Sequence, residues 1–337
     1  MKKIVFRVFV FCMAAFAMLL SSCSGSDYIN AIPKSSTALI SIDMQKMAER
    51  NHLSDKASVL KSLLHVDDVA DCGIDATEKL YLFETADGTL GLCAKVSSED
   101  DLENWLSQLA KEQKVCQPVS ERKGFHFSVL KDNWLIGFSD KSLLVMGPVV
   151  ADAQSELQRQ MVKYLKADEE QGIQSSRLFD SLDSITSPMA MVAQAQALPE
   201  KFIAPFTLGA PKGTDASQIV IAAEMNINNG LLRIKGKTFS FNSEVNASLE
   251  KANQNYRPIK GKYVMSMPDD AMAGIFMNVN GTQFLPMMQS NKGIQQLLLG
   301  INAAVDMDNI IRSVDGDMTI VMPSFSDSNL KMTMAAQ

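Results

Sequence analysis

Short apolar runs of period two, separated by turns of two or three residues, recur along this chain and confine it to antiparallel hairpins. Residues 79–84 and 89–96 flank Asp87-Gly88, a pair suited to the positive φ of a tight turn. Residues 124–130, 134–139 and 142–147 predict a three-stranded meander with Lys131-Asp132-Asn133 at its first turn, and 188–196 predicts a further strand. Residues 218–228 and 231–241 form another pair around Asn229-Gly230. Helical patterns lie between these groups. Leu53, Ala57, Leu60 and Leu64 fall at helical spacing, and 152–166 places Leu157, Met161, Val162 and Leu165 on one face. Ser98 caps a helix running through Lys111, with Asp101 in the capping-box position, and 243–255 is a further capped helix. Hairpins grouped between helices imply an α+β fold, with helices packed on largely antiparallel sheets. With 46% hydrophobic and 21% charged residues, the composition suits an ordinary globular protein of about two domains.

One stretch occurs twice. YINAIPKSSTALISID at 28–43 and YVMSMPDDAMAGIFMN at 263–278 align without a gap, with Tyr, Pro, Ala and Ile identical. Ile29/Val264, Ile32/Met267, Ile42/Met277 and Asp43/Asn278 are physically equivalent pairs. In the first stretch Pro33 lacks an N–H and biases Ile32 toward extended backbone, and Lys34-Ser35-Ser36 turns the chain. Ala38, Ile40 and Ile42 then alternate with Leu39 and Ser41 as a strand, and Asp43 caps a helix starting at Met44. The order downstream of 278 agrees: a helical stretch to Ala303, an acidic loop around Asp306 and Asp308, then strands at 317–322 and 330–335. This reads as a duplicated strand-helix-hairpin module. Tyr28, Pro33, Asp43, Tyr263, Pro268 and Asn278 are then positions of the fold and not of a site.

The second copy is incomplete, since Gln337 corresponds to about Val96 of the first. A truncated module is therefore expected, with 330–335 leaving apolar surface or an unpaired strand edge. The expected organisation is a signal peptide at 1–22, a tether at 23–27, a first α+β domain at 28–262 with a sub-boundary near 150–187, and a partial second copy at 263–337.

The leader carries Lys2, Lys3 and Arg7, then an apolar run over 8–20, then Leu20-Ser21-Ser22-Cys23. A run of about thirteen apolar residues is a secretory h-region and falls short of the ~20 a membrane helix needs. Leu20, Ser21, Ser22 and Cys23 resemble a bacterial lipobox. The resemblance implies that Cys23 becomes the first mature residue and carries diacylglycerol and a further acyl chain such as palmitate. More than one chain is what stable anchoring needs. Residues 24–27 extend at most ~14 Å, which keeps the folded body close to the bilayer. Loss of the leader takes the formal net charge from −6 to −9, so anionic headgroups repel the body as a whole. No basic block marks nucleic-acid binding, which is excluded. By analogy with lipoprotein sorting, Ser24 after the anchor implies the outer membrane, facing either the periplasm or the outside.

The lipobox, the short spacer, Tyr-x-x-x-Ile-Pro at 28–33 and Ala-x-Ile-x-Ile-Asp at 38–43 together resemble the envelope lipoproteins of Gram-negative anaerobes grouped as domain of unknown function 4836. The resemblance covers the chain from Cys23 onward. It implies an envelope lipoprotein longer than this chain, and no activity, substrate or catalytic residue.

Chemistry-bearing patterns are few. The histidines are His52, His65 and His126, and none follows, which removes most general-base and zinc arrangements from 127–337. His65 stands near Asp67, Asp68, Asp71, Cys72 and Asp75, but the calcium-loop offsets are not met, and a solvated acidic loop is the reading preferred. Ser-x-x-Lys occurs at Ser58/Lys61, Ser120/Lys123, Ser128/Lys131 and Ser328/Lys331 without the companion motifs of penicillin-binding enzymes. Cys72, Cys93 and Cys116 leave room for one disulfide or for three buried thiols.

Eleven of the 21 methionines lie between 263 and 337. Met265-x-Met267 and Met332-x-Met334 have a spacing that suits Cu(I) on a strand face. Core filling is preferred, because methionines replace aliphatics in Ile32/Met267 and Ile42/Met277. No cofactor and no metal is expected. The reading that results is a lipid-anchored, non-catalytic envelope protein that binds or scaffolds an envelope protein or ligand. The alternative is an envelope hydrolase acting on peptidoglycan or glycans through two carboxylates ~5–10 Å apart across a cleft.

Overall fold

The computed structural model describes residues 25–51, 69–113, 115–228, 231–267, 271, 273–303, 305–322, 325–326, 329–330 and 333–337. Leu20, Ser21, Ser22 and Cys23, the helix at 53–64, His52, His65, Asp67, Asp68, Pro268, the turn Asn229-Gly230, Ser58/Lys61, Ser328/Lys331 and Met332 lie outside the described residues.

In chain order the elements begin with a 3-10 turn at Asp27–Ala31, β1 (Ala38–Ile42), α1 (Met44–Asn51), a 3-10 turn at Val69–Cys72, β2 (Leu80–Glu84) and β3 (Leu90–Lys95). Next come α2 (Glu99–Gln108), running into a π-helical turn at Leu109–Gln113, then β4 (Ser120–Arg122), β5 (Phe125–Leu130), β6 (Trp134–Phe138) and β7 (Ser142–Gly147). There follow α3 (Gln154–Leu165), α4 (Arg177–Asp183), β8 (Met189–Gln194), α5 (Glu200–Phe206), β9 (Val220–Asn228), β10 (Leu231–Phe239) and α6 (Ser243–Asn253). The chain ends with β11 (Ala273–Asn280), α7 (Gly281–Ser290), α8 (Lys292–Asn302), α9 (Met307–Ser313), β12 (Asp315–Met322), β13 (Phe325–Ser326), β14 (Asn329–Leu330) and β15 (Thr333–Ala336). The α+β class expected from the hairpins is the class observed. Among the described residues no helix is long and apolar enough to cross a membrane.

These elements form two compact units, one from residues through Ala193 with Ala222–Gly236, the other from Gln194–Ile221 with 237–337. Each unit is discontinuous in sequence, unlike the contiguous domains 28–262 and 263–337 read from the repeat.

The first unit is built on a sheet of order β10-β9-β8-β1-β2-β3-β7-β6-β5-β4. The β1 strand pairs antiparallel with β2 (Ala38 with Glu84, Ile42 with Leu80) and with β8 (Ala38 with Ala193, Ile42 with Met189). Alternation in this register puts Leu39, Tyr81, Cys93, Leu144 and Val192 on one face, all buried. The turn at Asp27–Ala31 lies against β3 and β7, α3 against β6, and α4 against β1. On the opposite face Ala94, Ile136, Phe138 and Leu143 pack with Leu102 and Leu106 of α2.

Local chemistry explains the boundaries. Asp43 Oδ1 accepts the Lys46 N–H at 2.9 Å and its other oxygen pairs with Lys46 Nζ at 3.1 Å, so the cap of α1 is satisfied. Ser98 Oγ accepts the Asp101 N–H at 3.2 Å. The reciprocal half of the expected capping box is absent because the Ser98 N–H donates to the Gly73 carbonyl at 3.3 Å. The turn after β2 has Gly88 at φ +82°, and Lys131 and Asp132 both take left-handed φ between β5 and β6. Tyr28 fixes the N-terminal turn: its hydroxyl donates to the Lys79 carbonyl at 2.7 Å, and its own carbonyl accepts from Cys93 Sγ at 3.3 Å and Ser142 Oγ at 3.2 Å. Pro33 makes an isolated bridge with Gly172.

The second unit holds an antiparallel sheet of order β11-β12-β15. Its core gathers Ala252, Val279, Phe284, Leu285, Met287, Leu298, Ile311, Val314 and Met318. Local conformation echoes the first unit. Ile32 and Met267 each follow a 3-10 turn in extended conformation, at φ −79°, ψ 128° and φ −75°, ψ 125°, and strands begin at Ala38 and Ala273. The two stretches then part. Asn278 does not take the capping place of Asp43: β11 runs on to Asn280, whose Oδ1 accepts the Thr282 N–H at 3.1 Å, while Asn278 is buried within the strand. The loop expected around Asp306 and Asp308 is instead the start of α9, because Asp306 Oδ1 accepts the Asn309 N–H at 3.2 Å as a cap. The strand expected at 330–335 is divided between β14 and β15.

Candidate interaction surface

The buried reactive groups belong to the packing. Cys72, Cys93 and Cys116 are buried and none is disulfide-bonded, so the disulfide alternative is not realised. Cys93 shares a face with Tyr28, whereas Cys116 packs with Ala94 and Phe138 on the other side of the sheet. Burial pushes all three thiols up from the ordinary range. Tyr28 and Tyr81 are pushed up by the same cause, far from any nucleophilic role.

His126 stacks on Phe138 with centroids 5.1 Å apart and 21° between the planes. Its Nε2 faces Glu99 Oε1 and its Nδ1 faces Glu103 Oε2, each at 3.4 Å. Glu99 and Glu103 are one helical turn apart, so this arrangement fastens α2 to β5. Among the described residues no three His, Cys, Asp or Glu side chains are grouped to hold a metal ion.

The Ser-x-x-Lys serines within the described residues are occupied by backbone, Ser120 Oγ donating to the Phe127 carbonyl at 3.4 Å and Ser128 Oγ to the Gln117 carbonyl at 2.6 Å. A shallow groove of about 180 Å³ lies beside them, lined in part by Gln117, Ser120, Phe127, Gln154, Ser155 and Gln158. Its amides are partly engaged: Gln158 Oε1 accepts from Arg122 at 2.6 Å and Gln154 Nε2 donates to the Asp132 carbonyl at 2.7 Å. No carboxylate lines this groove. The methionines divide between surface and core. Met265 lies on a 3-10 turn and is 92% exposed, so Met265 and Met267 are not paired on a strand face, while Met277 and Met334 pack against the second core.

Asp317 is a buried carboxylate on β12. It accepts the Lys260 N–H at 2.9 Å, the Lys262 N–H at 2.9 Å and Asn278 Nδ2 at 2.8 Å. The Lys260 N–H above all holds its carboxyl below the usual range; burial opposes this, and the Lys262 N–H and the Asn278 amide add to it. The sequence equivalence drawn for Asn278 thus leads to a support residue of the second sheet.

The feature left without a structural task is the outer strand of the large sheet. Among the described residues the β10 strand ends the strand order, and one row of its backbone N–H and C=O groups has no neighbouring strand there. Residues 231–237 are all exposed, including Leu231 at 73%, Leu232 at 55% and Ile234 at 58%. Strand alternation sets Leu231, Arg233, Lys235 and Lys237 on one face and Leu232, Ile234 and Gly236 on the other. Lys235 pairs with Glu224 of β9 at 3.5 Å, with its side chain 83% exposed, and Lys237 Nζ stands 5.7 Å from the Phe239 ring centroid. Sequence reasoning placed this strand but not its position at the edge. The available signal was cations spaced by two within a strand that also carries large aliphatics.

The fold and this surface define an α+β protein of antiparallel sheets with an open, basic edge strand. The model of the family described as Domain of unknown function (DUF4836) matches residues 55–334, and the chain belongs to that family. No curated protein and no solved structure matches it.

Proposed function

We propose that this chain is a cell-envelope lipoprotein, held at the outer membrane by acyl chains on Cys23, that binds an envelope partner through the free edge of its large sheet. The observation that carries the binding reading is β10, which combines an unpaired backbone row, exposed aliphatics and cations on one strand. Exposed edges of this kind are costly unless they are covered or used, because they template association. The anchor is supported by the basic start, short apolar run and Leu20-Ser21-Ser22-Cys23. Internal duplication belongs to the same proposal, supported by the 3-10 turns that end in extended backbone at Ile32 and Met267 and by the like orders β1-β2-β3 and β11-β12-β15. The hydrolase alternative gains nothing from the described groove, whose lining is neutral.

The anchor is tested by metabolic palmitate labelling. Label is expected on the full chain and absent from Cys23→Ala, which should leave the membrane fraction. Label retained by that variant overturns the anchor.

A further inference from the structure

The chemistry of β10 specifies what it takes. An unpaired strand edge recognises another extended backbone, and a lipid surface has no such row of donors and acceptors to offer. A second copy of this chain is a poor occupant, because antiparallel self-pairing of β10 brings the cations Arg233, Lys235 and Lys237 against their own equivalents. Among the described residues Glu224 is the only carboxylate paired with these cations, through Lys235. The excess of positive charge on one face, three cations against the one carboxylate, therefore calls for acidic side chains at every second position, and Leu232 with Ile234 on the other face calls for apolar ones between them.

We propose that β10 takes an extended acidic segment of a partner protein as an added strand, its Asp or Glu side chains lying beside Arg233, Lys235 and Lys237 and its alternate apolar side chains beside Leu232 and Ile234. This rests on the binding reading above and names the partner's chemistry. The local charge runs against the negative net charge, −6 for the full sequence, so the edge is a basic stripe on an acidic body that attracts such a segment.

The test uses the full lipidated protein in detergent and a labelled nine-residue peptide of alternating glutamate and valine, read by fluorescence anisotropy. Saturable binding is expected, weakened by added salt and reduced about tenfold or more by Arg233→Glu combined with Lys237→Glu. A peptide of the same composition in block order should bind no better than that variant. Leu232→Thr with Ile234→Thr keeps strand propensity and should also weaken binding; unchanged far-ultraviolet circular dichroism verifies that each variant is folded. Equal binding of the block peptide, equal binding by the charge-reversed variant, or no saturable binding overturns the proposal. Charge-dependent binding to phosphatidylglycerol vesicles without peptide binding overturns it in favour of a lipid surface. Hydrogen exchange separates this failure from that of the broader reading. Protection of β10 by an envelope extract but not by the peptide removes the acidic strand alone, and protection by neither removes both.

Discussion

At the scale of single residues, Asp317 is the position where titration and folding are linked. Its carboxyl sits below the ordinary range because two backbone N–H groups and the Asn278 amide favour the charged form. A depressed folded pKa means that the unfolded chain takes up the proton first. The stabilisation is therefore present above the unfolded value of about 3.9 and is lost as pH falls through the folded value. Asp43, Asp75 and Asp87 shift in the same direction, so acid weakens both units. Asp317→Asn should separate one contribution from the rest. We expect a lower melting temperature for the variant at pH 7, with the gap to the parent closing below about pH 4 as the parent's own carboxyl protonates. A gap that stays constant across that window would show that the carboxylate's charge is not what the N–H groups hold.

At the scale of elements, β3 depends on a missing side chain. A Cβ built on Gly91 would lie 2.1 Å from Cζ of Phe83 on the neighbouring β2, so Phe83 packs over the space that the glycine leaves. Gly91→Ala should cost about 1–3 kcal/mol, as overpacking of a well-filled interior does. Chemical denaturation measures it, and a variant as stable as the parent would mean that Phe83 has room to move. The hairpins were legible in the sequence because their signals are local: Asp87-Gly88 and Lys131-Asp132-Asn133 mark turns at which the structure adopts positive φ. Capping by Asp43 and Ser98 was legible for the same reason. The short β4 was not, since three residues, two exposed and one half-buried, show no alternation. Neither was α4, whose buried Leu178 and Leu182 are two positions in seven residues. The edge status of β10 was beyond reach of pattern reading, because it follows from β8 pairing with β1 across more than a hundred residues of intervening chain. Leu232 and Ile234 look in sequence like an inward face, and only their exposure shows that no layer of the described residues covers them.

At the scale of the whole molecule, compartment and thiol chemistry pull against each other. On the proposed envelope localisation the chain would meet oxidising conditions, which favour disulfides between any thiols that approach, and Cys72, Cys93 and Cys116 are odd in number. The fold keeps them apart instead. Cys93, with no exposure, lies under Tyr28 on one face of the sheet, while Cys116 lies on the opposite face and donates to the Leu106 carbonyl at 3.3 Å. A disulfide needs Cα atoms within about 7 Å and side chains directed at each other, which opposite faces of one sheet cannot provide. Cys72 sits at the 3-10 turn that precedes β2 and lies against α2, likewise without exposure. Burial also suppresses the thiolate, the form that attacks oxidants and alkylating agents, by raising each pKa. In the compartment proposed above, packing alone should therefore keep these thiols reduced. Protein purified from the envelope without reductant is expected to resist iodoacetamide when native. After denaturation, Cys72, Cys93 and Cys116 should each become labelled, as read by intact mass and peptide mapping. All three belong to the unit built on the large sheet, so the denaturant dependence of labelling should follow the unfolding of that unit. Labelling of any of them under native conditions, or a mass two hydrogens short after denaturation, would show that the two faces do not keep these thiols apart.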